Sequence, residues 1–310
     1  MTAQPVPPLD PDRPFTLEQW RTAGRTLREL QTTPFRRLHK NVYVAAGAPS
    51  TPAQRTGAAL LTVPKPSYGS HVSGARLLGV PVPTIPDEHI TVLRARDRRA
   101  NPGIVCHCRP GRTPVLYVDG IPVSTYTQLF IELATLLPLV DLVAAGDHMV
   151  YKQHLTVEQL ADYCAGRKGP GAVFARRAAG YVRAKVESVM ESKLRMLLVL
   201  AGLPEPEIQW NIRDERGILL RRYDLAYPGQ RIAIEYDGKH HLEDATRARD
   251  LERREESDED EWRLIVVLAA GIYTEPARTL ERVHRVARKR RVPGVPARLR
   301  DDWRSHFPGR

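Results

Sequence analysis

The sequence predicts a multidomain chain that mixes α/β and α+β architecture, and three observations carry that prediction. Its 310 residues supply enough apolar surface for two or three separate cores. Hydrophobic residues make up 42% and charged ones 27%, the proportions of a folded chain rather than a disordered one. Apolar residues recur at helical spacing in some stretches and at period two in others, with Gly/Pro turns between them. Lys and Arg number 47 against 36 Asp and Glu, a net charge of +11, which favours an anionic partner: nucleic acid ahead of a membrane surface. No stretch approaches the ~20 apolar residues of a membrane span. The opening MTAQPVPPLDPDRP has no signal-peptide apolar core, so a cytoplasmic, reduced protein with no membrane association is expected.

Residues 1–14 are Pro-rich and read as a disordered leader. Residues 15–50 read as a winged-helix-like DNA-binding module. Thr16 is placed to cap a helix over 17–30, with Leu17, Trp20, Gly24, Leu27 and Leu30 on one face. A short basic segment, 33–40, then runs into a strand, NVYVAA. That order matches a winged helix-turn-helix, with Arg36, Arg37, His39 and Lys40 where a wing meets phosphates. The competing reading is a small α+β subdomain whose arginines are merely solvated.

Residues 51–165 read as an α+β middle domain. Helices are expected over 54–63 and 73–78, the second ending at Gly79, and strands over 89–93 and 115–118. A strongly apolar stretch over 127–150, interrupted at Pro138, reads as a helical hairpin. The basic run 94–99 is a solvated turn or a nucleic-acid contact. The three cysteines, Cys106, Cys108 and Cys164, form no disulfide scaffold. Cys106-His107-Cys108 could open a metal site, but alternation along a strand reads more simply as buried thiols. Arg167-Lys168-Gly169-Pro170-Gly171 marks a boundary, and 166–186 reads as a linker carrying a helix over 172–181.

The chemistry concentrates in residues 187–291. A helix beginning before Glu187 carries Glu191 and stops at Gly202-Leu203-Pro204. A strand over 207–212 turns through 213–217 into a strand over 218–226 that carries Asp224, and a third strand follows over 231–237. Period-two geometry sends Glu235 and Asp237 to one face and Ile232 and Ile234 to the other, with Asp224 beside the carboxylates. Converging carboxylates repel unless a cation sits between them, and Mg²⁺ prefers carboxylate oxygens and water. Such a site can activate water for phosphodiester hydrolysis. His240 and His241 follow at once, and one of them is placed to take or give a proton. The bland alternative, a surface hairpin with ordinary charges, does not account for Glu235 inside an apolar strand.

These residues and their order resemble the very-short-patch-repair-like (Vsr-like) endonuclease domain of the PD-(D/E)XK superfamily. The phrases that carry the likeness are ESKLRMLL, AGLPEP, RYDLAYP, IEYDGKHH and RDLER. The resemblance implies a restriction-endonuclease-like mixed sheet flanked by helices. It implies Glu191, Asp224 and Glu235 around Mg²⁺ (Mn²⁺ substituting), and Asp237 and His241 closing the site. Asp250 and Arg253 would lie on the helix that follows and brace the core or touch the phosphate backbone, with Lys239 and Arg253 the candidate nucleic-acid contacts. The superfamily's carboxylate-x-Lys is not clean: Asp237 stands at the lysine position if Glu235 is the carboxylate, and Lys239 fills it if Asp237 is. The first register is favoured because Vsr-like members generally use histidine there. The structural zinc of the repair enzymes needs cysteines that this region lacks, so no zinc is expected and mismatch-specific nicking does not carry over.

Residues 15–165 resemble, more loosely, the abortive-infection type IV antitoxin (AbiEi-like) architecture, through RRLHKNVY, HVSGARLLG and GIPVS. That likeness implies DNA binding and transcriptional autoregulation. Arg282, Arg285, Arg288, Lys289, Arg290 and Arg291 make a basic helix end that suits phosphates or solvent equally, ahead of a tail over 292–310. The leading expectation is therefore a DNA-binding, Mg²⁺-dependent endonuclease in phage defence or DNA processing, with RNA as a further candidate substrate and a homodimer natural for double-strand cutting. The alternative is a DNA-binding regulator or antitoxin, paired with a cognate toxin, whose nuclease fold is degenerate.

Overall fold

Local rules set the first elements of the computed structural model, which describes residues 9–111, 113–238 and 262–309. Thr16 ends strand β1 (Phe15–Thr16) and caps helix α1 (Leu17–Thr22) in a capping box with Gln19. The single helix expected over 17–30 is broken. Gly24 turns left-handed at φ 76°, and a second capping box between Thr26 and Glu29 starts α2 (Leu27–Thr32). The Trp20 indole donates to the Thr26 carbonyl at 2.8 Å and fixes the corner. The basic segment before NVYVAA is itself a strand, β2 (Phe35–His39), antiparallel to β3 (Val42–Ala45) in a sheet of order β1-β3-β2. Phe15, Trp20 and Phe35 fill its core, with ring centroids 5.2–5.5 Å apart.

Helix α3 (Pro52–Leu60) leads into a five-stranded sheet. The chain continues as β4 (Ser67–Gly69), α4 (His71–Leu77), β5 (Glu88–Val92), β6 (Ile104–Cys108), β7 (Val115–Val118), β8 (Ile121–Ser124) and α5 (Tyr126–Leu133). The strand order is β6-β5-β4-β8-β7, with β5 and β6 parallel so that Ile90 faces Cys106 and Thr91 faces His107. Ile90, Val92, Ile104 and Cys106 pack with Ala59 and Val63 in one apolar cluster, so Cys106 is a core thiol, as the alternation predicts. His107 points to the opposite face of the sheet. These elements form one compact unit, which runs to Leu136 and includes Gly169–Gly171; a second takes Leu137–Lys168 and the chain from Ala172 on. The division falls between the two arms of the expected hairpin over 127–150.

The second unit holds α6 (Leu139–Tyr151), α7 (Val157–Ala165), α8 (Ala172–Ala179) and α9 (Val189–Leu200). Pro138 precedes α6, where the sequence puts the interruption. Ser188 caps α9 by accepting the Glu191 amide at 3.1 Å, so this helix starts after Glu187 rather than before it. Strands β9 (Glu207–Arg213), β10 (Leu219–Tyr227), β11 (Ile232–Tyr236) and β12 (Arg263–Val267) form a sheet in the order β12-β11-β10-β9. The first three run antiparallel and β12 lies parallel to β11. Helices α10 (Ala269–Tyr273) and α11 (Pro276–Lys289) follow. Leu280, Val283 and Ala287 bury one stripe of α11, and Trp303 and Phe307, in the expected tail, are buried as well.

One polar network anchors α9. Arg195 is fully buried and donates to Asp147 at 3.0 Å, to Glu205 at 2.7 Å and to the Tyr181 carbonyl at 2.8 Å. Asp147, on α6, also accepts the Ser192 hydroxyl at 2.8 Å and the Arg183 amide at 2.7 Å. Each buried charge is thus paired and hydrogen-bonded, the condition for tolerating it. The network ties α9 to α6 one turn beyond Glu191.

Candidate functional site

Strand register assembles a row of polar side chains across the second unit's sheet. Leu225 pairs with Ile234, so one step further Asp224 lies across from Glu235, on the face opposite Ile234. Tyr223 pairs with Trp210 and Leu225 with Ile208, which brackets Asp224 against Gln209. Gln209 has a left-handed φ of 53° and donates through Nε2 to Glu191 Oε2 at 2.8 Å. The Glu187 amide donates to the same oxygen at 3.1 Å. Asp224 accepts the Tyr236 amide at 2.9 Å through Oδ2 alone. Glu191 and Asp224 therefore each keep one oxygen without a hydrogen-bond partner among the described residues.

The electrostatics follow from that crowding. Burial holds the Asp224 carboxyl above its ordinary range; the Tyr236 amide and Arg222 oppose the shift, and the Glu191 and Glu187 charges add to it. Burial raises Glu235 too, reinforced by Asp224 and Asp237 and opposed by Arg221. Glu191 and Glu187 thus penalise the ionisation of Asp224, and Asp224 that of Glu235, a crowding that a bound cation would relieve. The Arg222–Glu187 ion pair at 3.0 Å closes one side. Oxygen ligands of this kind suit Mg²⁺ or Mn²⁺, which retain several waters, and such a water can be turned on a phosphodiester.

The expected residues do not all converge. Glu191, Asp224, Glu235 and Asp237 share electrostatic reach, but their ligand atoms are not gathered within 4.8 Å of one another. His241, Lys239 and Arg253, with His240 and Asp250, lie outside the described residues. In the other unit Arg37 and Lys40 are exposed on the β2–β3 hairpin, as a phosphate contact requires. Arg36 is turned inward, with Nη2 donating to the Ala48 carbonyl at 2.8 Å and lying 3.4 Å from Gln54 Oε1. It braces the hairpin against α3.

A second cluster escaped the sequence reading. His71 at the start of α4, His89 on β5 and His107 on β6 bring one ligand atom each within 4.8 Å of one another, the only such group among the described residues. The His71 and His107 rings stack with centroids 3.6 Å apart, and His89 Nδ1 lies 2.9 Å from His107 Nε2. Burial depresses the basicity of all three. His71 is pushed down to about 2, with His107 and His89 adding to the effect, and His107 to about 4. The only sequence signal was His107 between two cysteines. Nothing local connects it to His71 and His89.

No family model matches the chain. It is 27% identical over 198 residues to an uncharacterized protein of Mycobacterium tuberculosis strain H37Rv, and equally to its counterpart in strain CDC 1551. The match spans 63% of this chain and 72% of each relative. Neither relative's name assigns an activity. Among the described residues no helix is long and apolar enough to cross a membrane.

Proposed function

We propose that the protein is a Mg²⁺-dependent DNA endonuclease whose C-terminal region is a Vsr-like domain of the PD-(D/E)XK superfamily. The observation that carries this reading is Asp224 lying across from Glu235, with Glu191 delivered beside them by α9 and one oxygen of Asp224 and of Glu191 left without a hydrogen bond among the described residues. The element order supports it: a helix, three antiparallel strands, then a strand parallel to the third. In this reading Asp224 and Glu235 hold the metal, Glu191 holds it directly or through water, and His241 handles a proton. When bound, Mg²⁺ supplies Lewis acidity and an activated water. The chain's own part is to hold the three carboxylates on α9, β10 and β11.

The N-terminal unit would hold DNA in the manner of a winged helix, with exposed Arg37 and Lys40 on the β2–β3 hairpin meeting phosphates. The experiment is relaxation of supercoiled plasmid in Mg²⁺, Mn²⁺ or EDTA beside Asp224→Ala. Metal-dependent nicking that the variant loses supports the nuclease; cleavage that survives Asp224→Ala overturns it. A second reading, a DNA-binding regulator or antitoxin on a degenerate nuclease fold, is favoured by one observation. The carboxylates are spaced more widely than a formed metal cage. It predicts an intact plasmid in every lane and a gel shift that weakens steeply as salt rises.

A further inference from the structure

The geometry points to a transition-metal site of the zinc class built from His71, His89 and His107. It belongs to the first compact unit, the carboxylate row to the second, and it does not rest on the nuclease reading. The three residues come from separate elements, the start of α4 and the adjacent parallel strands β5 and β6, so their convergence is a product of tertiary structure. His89 and His107 each make their one side-chain hydrogen bond with the other, at 2.9 Å, and the His71 ring stacks directly on His107. A core that needed only to satisfy three histidines would give them carbonyls or hydroxyls. Here two of them turn ligand nitrogens on each other instead.

The surroundings are those of a metal ligand set. His71 Nδ1 lies 2.9 Å from Ser70 Oγ, which leaves Nε2 facing the cluster, and Thr91 Oγ1 donates to that Ser70 oxygen at 2.8 Å. That is a second layer of hydrogen bonds orienting a ligand ring. The His71 backbone sits at φ 49°, a costly conformation for a side chain of this size, with its amide held by Glu132 at 3.2 Å. The His89 amide is pinned by Ser73 Oγ at 2.7 Å. Tetrahedral coordination with Zn–N bonds of about 2.0–2.1 Å sets ligand nitrogens roughly 3.3 Å apart. To accept an ion the His89–His107 nitrogens must part by a few tenths of an ångström, and the His71 ring must turn out of its stack on His107 so that the three in-plane lone pairs converge.

The donor set also fixes the kind of ion. Three imidazoles with no carboxylate suit Zn²⁺, Co²⁺, Ni²⁺ or Cu²⁺, and do not suit Mg²⁺ or Ca²⁺. Cys106 lies in the apolar cluster on the other face of the sheet, so the site is all-nitrogen. Three protein ligands leave a fourth position, and His107 is incompletely buried, so water or an anion completes the tetrahedron.

The test uses tag-free, full-length protein stripped with chelator and titrated with Co²⁺, followed by Zn²⁺ competition against a chromophoric chelator. With excess Mg²⁺ present to occupy the carboxylate row, the expected result is one ion per chain with the visible bands of tetrahedral Co²⁺, displaced by Zn²⁺ but not by the Mg²⁺. His89→Asn and His107→Gln should each weaken Zn²⁺ by about 100-fold or more, while Cys106→Ala and Asp224→Asn leave it unchanged. Where a histidine variant fails to fold, the wild-type cobalt spectrum still decides. Absence of saturable binding by the wild type overturns the proposal, as does binding that survives both folded histidine variants. Thiolate-to-cobalt charge-transfer bands would also overturn it, by moving the ligands to the cysteines.

Discussion

Replacing Asp224 by Asn tests the carboxylate row without disturbing its frame. Asparagine keeps the shape and can still accept the Tyr236 amide, now at 2.9 Å from Oδ2. What it removes is a charge that burial disfavours, that Glu191 and Glu187 oppose, and that in turn holds Glu235 up. Asp224 is only part-buried, and after discounting for solvent screening the relief is on the order of 1 kcal/mol. The second unit holds about 170 residues, so metal-free protein should melt roughly 2–4 °C higher after the substitution. Mg²⁺ at ten times its Kd should stabilise the wild type by about 1.4 kcal/mol and the variant by much less. Thermal melts in EDTA and in Mg²⁺, run beside plasmid nicking, read all three quantities. A variant that melts lower than wild type in EDTA and gains as much from Mg²⁺ would refute the reasoning, because Asp224 would then be an ordinary structural aspartate.

Other outcomes follow from single contacts. Asp147→Ala leaves Arg195 buried with only Glu205 and the Tyr181 carbonyl as partners, and should cost about 3–5 kcal/mol in urea unfolding; Arg195→Met, which fills the volume without charge, should cost less in combination with Asp147→Leu than either single change does. The Cys164 thiol is fully buried and burial pushes it up to about 11, so at pH 8 it is almost wholly protonated. Iodoacetamide followed by mass spectrometry should modify Cys108 well before Cys164, with labelling of Cys164 rising only as the pH climbs or urea opens the unit. Gly69→Ala places a Cβ 2.7 Å from Thr56 Cγ2 and 3.1 Å from Leu77 Cδ1, and should destabilise by about 1–3 kcal/mol in the same urea assay. Arg37→Glu with Lys40→Glu should weaken a DNA gel shift and flatten its salt dependence by about two phosphate contacts; an unchanged shift would remove the hairpin from the interface.

What the sequence made legible was local. The β9–β10–β11 hairpins could be read because period-two alternation and the turn at Asp214–Gly217 are written in adjacent residues, and from them the shared side of Asp224 and Glu235 follows. The helix over 17–30 failed because the spacing of its apolar residues is continuous across Gly24, while the capping boxes at Thr16 and Thr26 split it. Arg36 read as a phosphate ligand because composition cannot tell an arginine facing solvent from one facing a carbonyl twelve residues on. Arg195, within the phrase that suggested the nuclease, is a buried structural cation, and its partner Asp147 is 48 residues away. Gln209, which presents Glu191 to the site, gave no signal because its role depends on a left-handed φ in mid-strand. The three histidines are spaced by 18 residues each and meet only through the order β6-β5-β4.

The two clusters meet the cost of burial from opposite sides. Burial holds the Asp224 and Glu235 carboxyls up and the His71, His89 and His107 imidazoles down, so each set is biased toward its neutral form when no ion is bound. A dication reverses the bias at the carboxylates, which bind it ionised, and reinforces it at the imidazoles, which bind it neutral; the ligand atoms differ too, oxygen for a hard ion in one and nitrogen for a borderline ion in the other. Inhibition by EDTA is therefore an ambiguous signature for this protein, since it would empty either site. A chelator selective for transition metals, used in the presence of Mg²⁺, separates them. If nicking survives that treatment, the carboxylate row alone carries the chemistry and the histidine site serves the fold. If nicking stops and returns with Zn²⁺ while His107→Gln cannot be rescued, the histidine-bound ion is needed for cleavage and the division of labour argued above is wrong.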